Sequence, residues 1–237
     1  KDNVSEISKK IRGDAGTTVK IGVVRGSEKK EFSVTRAKIE NPSVELSKKE
    51  GVATLSIYRF DSETGVLAKK YAEEIKNEGF SKVILDLRGN GGGYVQAAKT
   101  VASLWLEKNA LIVSEKTGSK TVEEIRATGD NPLKGIKTVI LLDGSSASAS
   151  EIVAGALKEH KAAQIVGEKS YGKGSVQTTI DMPNGALLKV TIAKWFTPSG
   201  KNISNNGISP DIKVSAPKGE SYLLNDIQKN KALEILK

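Results

Sequence analysis

Apolar residues recur along this chain in two rhythms. Val19, Ile21 and Val23 alternate with polar neighbours between Thr18 and Arg25; after Gly26 and a charged tip, Phe32 and Val34 repeat the alternation. A period of two over such lengths predicts a hairpin. Ahead of it, Asn3-Val4-Ser5-Glu6 has the form of a capping box, and Val4, Ile7 and Ile11 form one helical stripe ended by Gly13. From Gly51 onward the apolar runs are denser. Gly51 to Tyr58 predicts a strand. Residues 65–77 predict an amphipathic helix with Val66, Tyr71 and Ile75 on its apolar side, stopped by Gly79. Lys82 to Arg88 predicts a buried strand that runs into Gly89-Asn90-Gly91-Gly92-Gly93, and Val95 to Leu106 predicts the next helix. Strand, helix, strand, glycine loop, helix is the rhythm of a parallel crossover.

Further strands are predicted at 111–113, 122–127, 138–142, 164–166, 176–180 and 187–196. Pro183-Asn184-Gly185 turns between the last two. A helix follows the small residues near Ser148 and ends near His160, and residues 222–236 form an amphipathic helix candidate. These elements predict an α/β fold, a mixed sheet with flanking helices. Four segments follow: an incomplete N-terminal piece over 1–40, a polar linker with Pro42 over 41–50, a core over 51–215, and a helical C-terminal segment over 216–237. One helix and one hairpin in forty residues bury no core of their own, so the first piece reads as part of something larger.

Composition narrows the function. The 237 residues carry a net charge of +9, which first suggests nucleic acid. The lysines, however, come as scattered pairs (Lys9-Lys10, Lys29-Lys30, Lys48-Lys49, Lys69-Lys70) interleaved with acids, without aromatic residues between them. The charge therefore reads as a solvated surface, and nucleic-acid binding is kept only as an alternative class. The chain has no cysteine, which excludes thiol catalysis, disulfides and cysteine-bound metals. No run of 18 apolar residues occurs. The chain opens on Lys1-Asp2-Asn3 with no signal peptide, and reads as a piece of a longer protein.

The candidate chemistry centres on Leu141-Leu142-Asp143-Gly144-Ser145-Ser146-Ala147-Ser148-Ala149-Ser150-Glu151. A buried strand enters, small residues turn, and a helix leaves. A serine there faces unpaired helix N–H groups that can stabilise an oxyanion. The plain alternative is that Ser148 or Ser150 only caps the helix, and Ser148-x-x-Glu151 fits a capping box. If Ser148 is a nucleophile it needs a base. The only histidine, His160, lies twelve residues along the same helix, about 18 Å away at 1.5 Å per residue, which excludes a Ser-His-Asp site. It reads as a surface residue at the helix C-terminus. The remaining base is a lysine. Lys173 is best placed, in the glycine-rich loop Gly167 to Ser175 after the next strand. A lysine amine has a reference pKa of about 10.4 and serves as a base only where a dry pocket removes its charge. Its plain alternative is a solvated loop lysine. Gln177, four residues on, is expected on the same side of a strand and able to orient that amine. Gly167-x4-Gly172-Lys173-Gly174 nearly matches a phosphate loop, but Gly174 stands where a hydroxyl must hold magnesium, and a strand follows. Ser170-x-x-Lys173 sits in a glycine loop, whereas that pattern in penicillin-interacting enzymes opens a helix. Asp86, Asp143 and Glu151 are not spaced as a metal site or a glycosidase pair.

Three stretches together carry a family resemblance: residues 146–152 (S-A-S-A-S-E-I), residues 167–177, and Asp86-Leu87-Arg88-Gly89-Asn90-Gly91-Gly92-Gly93. With Gly207-Ile208-Ser209-Pro210-Asp211 they resemble the carboxy-terminal processing peptidases, or tail-specific proteases, over about residues 50–215. The resemblance implies a crotonase-like peptidase core and a serine endopeptidase that cuts near the C-terminal tails of proteins. It implies Ser148 as nucleophile, Lys173 as general base and Gln177 positioning that lysine. An oxyanion hole is implied from the N–H groups of Ala149 and Gly92. It further implies no metal or cofactor, work outside the cytoplasmic membrane, anchoring by a segment outside this sequence, and self-association as a dimer, with Leu223, Leu224, Ile227 and Leu233 available for it. Residues 1–40 resemble the last third of a PDZ domain, notably Lys10-Ile11-Arg12-Gly13 followed by Val19-Lys20-Ile21. The alternative within the same fold is a catalytically silent peptide-binding or scaffold protein.

Overall fold

The computed structural model describes residues 3–38, 41–183, 185–215 and 226–237, and the chain divides into two units, Lys1–Pro42 and Ser43–Lys237. The first unit holds helix α1 (Val4–Ile11) and the antiparallel hairpin of β1 (Thr18–Arg25) and β2 (Glu28–Thr35). The capping box forms: Asn3 Oδ1 accepts from the Glu6 N–H at 3.0 Å, and a Glu6 carboxylate oxygen accepts from the Asn3 N–H at 2.9 Å. Arg36 ties the unit together, its guanidinium donating to the carbonyls of Lys10 and Ile11 and to the Thr17 hydroxyl. Val4, Ile7, Ile11, Phe32 and Val34 all remain exposed, consistent with a segment too small for its own core.

The second unit runs β3 (Val44–Lys49), β4 (Val52–Ile57), α2 (Thr64–Asn77), β5 (Lys82–Asp86), α3 (Val95–Ser103), β6 (Leu111–Thr117), β7 (Lys120–Arg126), β8 (Lys137–Leu142), α4 (Ala149–Glu159), β9 (Gln164–Gly167), β10 (Ser175–Asp181), β11 (Leu187–Phe196), β12 (Ile212–Lys213) and α5 (Ile227–Leu236). Its main sheet has the order β12-β9-β8-β5-β4-β3; all neighbours are parallel except the edge strand β3, which is antiparallel to β4. A second, antiparallel sheet has the order β10-β11-β6-β7. The predicted mixed α/β architecture is therefore the one observed.

The central strands carry unbroken apolar runs, 83–85 in β5 and 139–142 in β8, because both faces are covered there. Val83, Leu85, Ile140 and Leu142 pack with residues of α2, α3 and α4, whereas Ile84, Val139 and Leu141, one step out of phase, pack with Ala232 and Leu236 of α5. Arg88 pins α5: its guanidinium donates to Asp86 at 2.6 and 2.9 Å and to Asp226 at 2.8 Å, and Gln228 Oε1 accepts from it at 3.2 Å.

Three expectations are corrected. The stretch read as a linker, 41–50, carries β3. Val44 is fully buried and Leu46 half-buried, while Glu45, Ser47, Lys48 and Lys49 face out. Two apolar positions make a faint period, and outward lysines are what a protected edge strand carries. Helix α3 stops at Ser103, not Leu106, because the chain tightens: Leu104 N–H donates to the Val101 carbonyl and Trp105 N–H to the Ala102 carbonyl. The C-terminal helix starts at Ile227, with Asp226 accepting from the Lys229 N–H at 3.0 Å as its cap; Tyr222, Leu223 and Leu224 lie outside the described residues, as does Asn184 of the hairpin turn. No helix among the described residues is long and apolar enough to cross a membrane.

Candidate active site

Two neighbouring parallel strands, β5 and β8, end side by side, and their C-terminal ends carry the two turns read from the sequence. This is the edge at which open α/β sheets place their sites. Asp143 stitches the turns together. Its carboxylate accepts from the Gly89 N–H at 3.0 Å across the gap, and from the Ser145 and Ser146 N–H groups at 2.9 and 3.0 Å within its own turn. Asn90, fully buried, does the same from the other side. Its carbonyl accepts from the Ala147 N–H at 3.0 Å and the Ser150 hydroxyl at 2.9 Å, and its side-chain amide donates to the Ile57 carbonyl at 2.7 Å. Ser150 is thus a buried brace.

Ser148 is the N-cap of α4, with φ 55° and ψ −114°. That conformation is rare for a residue with a side chain and is characteristic of a sharp strand-to-helix turn that presents a hydroxyl. The next residue, Ala149, opens the helix, so its N–H is one of the helix's unpaired donors. Gly92 lies against both. A Cβ built on it would stand 2.7 Å from Ser148 Cβ and 2.9 Å from Ala149 N, and its φ is +99°. Only glycine allows this approach. Ser148, Ala149 and Gly92 are therefore together. The Gly92 N–H donates to Asn90 Oδ1 at 2.8 Å.

Lys173 reaches the same place through a residue the sequence reading set aside. Glu151 is 0% exposed, and one of its oxygens, Oε2, accepts from the Ser148 N–H at 2.8 Å and from the Lys173 N–H at 2.9 Å. The two backbone nitrogens are thus separated by no more than 2.8 plus 2.9 Å, about 5.7 Å, although 25 residues lie between them in sequence. The other oxygen, Oε1, accepts from the Gly172 N–H and the Ser170 hydroxyl, each at 2.6 Å. Ser170 is consequently a structural donor. Lys173 is half-buried, and among the described residues its amine makes neither a hydrogen bond nor an ion pair.

Gln177 stands in a different geometry from the one its spacing predicts. Lys173 lies in the loop before β10, which begins only at Ser175, so the four-residue spacing to Gln177 does not put the two on one side of a strand. Gln177 is exposed. His160 caps the far end of α4, where its Nε2 lies 2.7 Å from the Leu111 carbonyl. Sequence reasoning missed the joining roles of Asn90, Asp143 and Glu151. The signal for Glu151 was present in Ser148-x-x-Glu151, whose second half forms as a capping box does, the carboxylate returning to the Ser148 N–H.

Comparison with known proteins places the fold in a family. The model of peptidase family S41 matches residues 51–214, more than half of the chain. The chain belongs to peptidase family S41. It is 39% identical over 220 residues to a probable CtpA-like serine protease of Staphylococcus haemolyticus (strain JCSC1435), covering 92% of this chain and 44% of that protein. It is 38% identical over 235 residues to a probable CtpA-like serine protease of Staphylococcus aureus (strain bovine RF122 / ET3-1), covering 98% of this chain and 47% of that protein. The chain thus spans about half the length of these relatives. Among solved structures, the photosystem II D1 C-terminal processing protease superposes with a TM-score of 0.69 at 28% identity, over 86% of this chain and 57% of that one. The resemblance to carboxy-terminal processing peptidases read from the sequence is borne out at the level of family and fold.

Proposed function

We propose that this chain is the catalytic part of a serine endopeptidase of the carboxy-terminal processing type, working through an acyl-enzyme on Ser148 with Lys173 as general base. The observation that carries this reading is the shared acceptor that holds the Ser148 and Lys173 backbones within about 5.7 Å of each other (2.8 plus 2.9 Å). Ser148 Oγ attacks the substrate carbonyl carbon and its proton passes to the neutral Lys173 Nζ. The carbonyl oxygen becomes an oxyanion, stabilised by the Ala149 N–H and by the Gly92 N–H once it leaves Asn90 Oδ1. The C–N bond breaks, the lysine returns its proton to the leaving amine, and water then hydrolyses the ester with the lysine again as base. Gln177 is proposed to orient the lysine amine from the start of β10. The rate depends on that amine being uncharged when substrate is bound, which requires the substrate to complete a dry site.

The substrates are proteins or peptides with an exposed C-terminal tail, a reading supported by the relatives' names and by the processing protease that the fold matches. The setting proposed is outside the cytoplasmic membrane, with any anchor outside this sequence. Residues 1–40 are proposed to be the last part of a PDZ-like domain, supported by the order of α1, β1 and β2. Self-association as a dimer is also proposed. Because α5 spends Ala232, Leu236 and in part Leu233 on its own sheet, the half-buried Ile227 is what it retains for a partner. A monomeric mass at micromolar concentration rules this out.

One observation favours a second reading, a catalytically silent peptide-binding protein of the same fold: the Gly92 N–H is occupied by Asn90 Oδ1. The two readings part in one experiment. Casein degradation and covalent labelling by an alkyl fluorophosphonate are measured for this chain, Ser148→Ala and Lys173→Ala. Turnover and labelling lost in both variants support the dyad. Equal turnover by all three ends the catalytic assignment, and no labelling of any supports the silent reading.

A further inference from the structure

A buried carboxylate in this fold has no cation to neutralise it among the described residues. Glu151 is 0% exposed, yet its partners are three backbone N–H groups and one hydroxyl. Burying a charge with only neutral partners is costly unless every lone pair is used. Here it is. A carboxylate offers about four acceptor positions, and the Ser148 N–H and Lys173 N–H fill Oε2 while the Gly172 N–H and Ser170 hydroxyl fill Oε1. The position in the first turn of α4 adds the helix's own favourable dipole.

We infer that Glu151 is the positioning residue of the site, setting the spacing between nucleophile and base. This rests on the dyad reading above. Residues 170–174 are a loop with glycines at 172 and 174, free by themselves to take many shapes. Glu151 holds that loop at two consecutive backbone positions, Gly172 and Lys173, so the direction in which Lys173 leaves the backbone is set from α4. The same carboxylate holds the Ser148 N–H, which keeps Ser148 at its positive φ and directs that donor away from the oxyanion. Ser170 extends the hold to the late turn, since its oxygen also accepts from the Ile208 N–H at 2.7 Å. A helix cap alone needs only the first of these four bonds.

Glu151→Gln separates positioning from packing because it keeps the shape. The amide has one acceptor oxygen and two donor hydrogens. Whichever way it turns, at least one backbone N–H of the two held segments meets another donor. Peptide turnover and fluorophosphonate labelling are measured on the full chain, with thermal unfolding alongside. In labelling, the Ser148 oxygen–phosphorus bond forms as the phosphorus–fluorine bond breaks, fluoride leaves, and the hydroxyl proton goes to Lys173. The expected result is a kcat lowered about 10²-fold, the scale of an ångström of misplacement. KM stays within about threefold and the labelling rate falls in step with kcat. A folded Glu151→Gln with wild-type kcat overturns the inference, and so does a loss confined to KM.

Should Glu151→Gln not fold, Ser170→Ala decides. It removes one donor and leaves the carboxylate, and a kcat lowered roughly tenfold at unchanged KM supports positioning, whereas wild-type kcat overturns it. Ser148→Ala and Lys173→Ala run in parallel. If they retain turnover, the dyad reading itself has failed; if they are inactive while Glu151→Gln is fully active, only the positioning role has.

Discussion

Gly92 and Ser148 are packed so closely that a methyl group on Gly92 would lie 2.7 Å from the Ser148 Cβ. The contact joins the loop after β5 to the turn after β8.

Gly92→Ala is therefore expected to remove activity while leaving the sheet intact. The new Cβ meets Ala147 O, Ser148 Cβ and Ala149 N, none of them at the end of a flexible side chain, and the φ of +99° is itself strained for alanine. Turnover should fall more than about 10²-fold, and unfolding free energy by roughly 1–3 kcal/mol, the cost of one strained backbone position. Near-wild-type turnover in this variant would show that the loop plays no part in the chemistry.

His160 is expected to be dispensable. It stands at the C-terminal end of α4, with Ser148 at the other end. His160→Gln should keep kcat and its pH dependence within about twofold of wild type. A variant with lost turnover but native thermal stability would bring imidazole back into the mechanism.

Asp226 gives the attachment of α5 a defined pH dependence. Burial is the largest single influence on its carboxyl and pushes it up, but the Arg88 guanidinium, the Lys229 N–H and their charges together hold it below the usual aspartate range. A carboxyl depressed in the folded state contributes stability that is whole above its unfolded value, about 3.9, and that fades as pH falls further. Asp226→Asn should cost about 2 kcal/mol at pH 7, as a lost charged hydrogen bond does. The difference from wild type should stay constant down to about pH 5 and shrink below about pH 4. Urea unfolding across that range measures it, and a difference that grows on acidification would contradict the pairing.

Tyr58 should titrate late. Its hydroxyl donates to a Glu45 oxygen at 2.7 Å, and chiefly this bond, with some burial and the Glu45 charge, pushes the phenol up to about 12. Ultraviolet titration of wild type against Tyr58→Phe should assign a tyrosine transition near that value to Tyr58. Glu45→Gln should return it towards about 10, the ordinary value. A Tyr58 transition near 10 in the wild type would mean the pair is not formed.

Much of the molecule is legible in one dimension because its signals are local. Capping at Asn3 and Glu6, the doubly apolar strands at 83–85 and 139–142, and the glycine loop at 89–93 each follow from a few adjacent residues and their backbone preferences. The same local chemistry marked Ser148 at a turn before a helix, and excluded His160 by the length of that helix. What adjacent residues cannot encode is which turns end up side by side. Parallel pairing of β5 with β8 delivers Gly92 to Ser148, and a fully buried Glu151 brings Lys173 to it across 25 residues. The bulge at Ile192 of β11 and the faint edge strand β3 likewise depend on partners distant in sequence. The sequence alone determined the elements and the list of candidate groups, since propensity and capping act within a few residues. Only the tertiary structure decided their meeting, because buried hydrogen bonds and close backbone contacts are chosen by the whole fold.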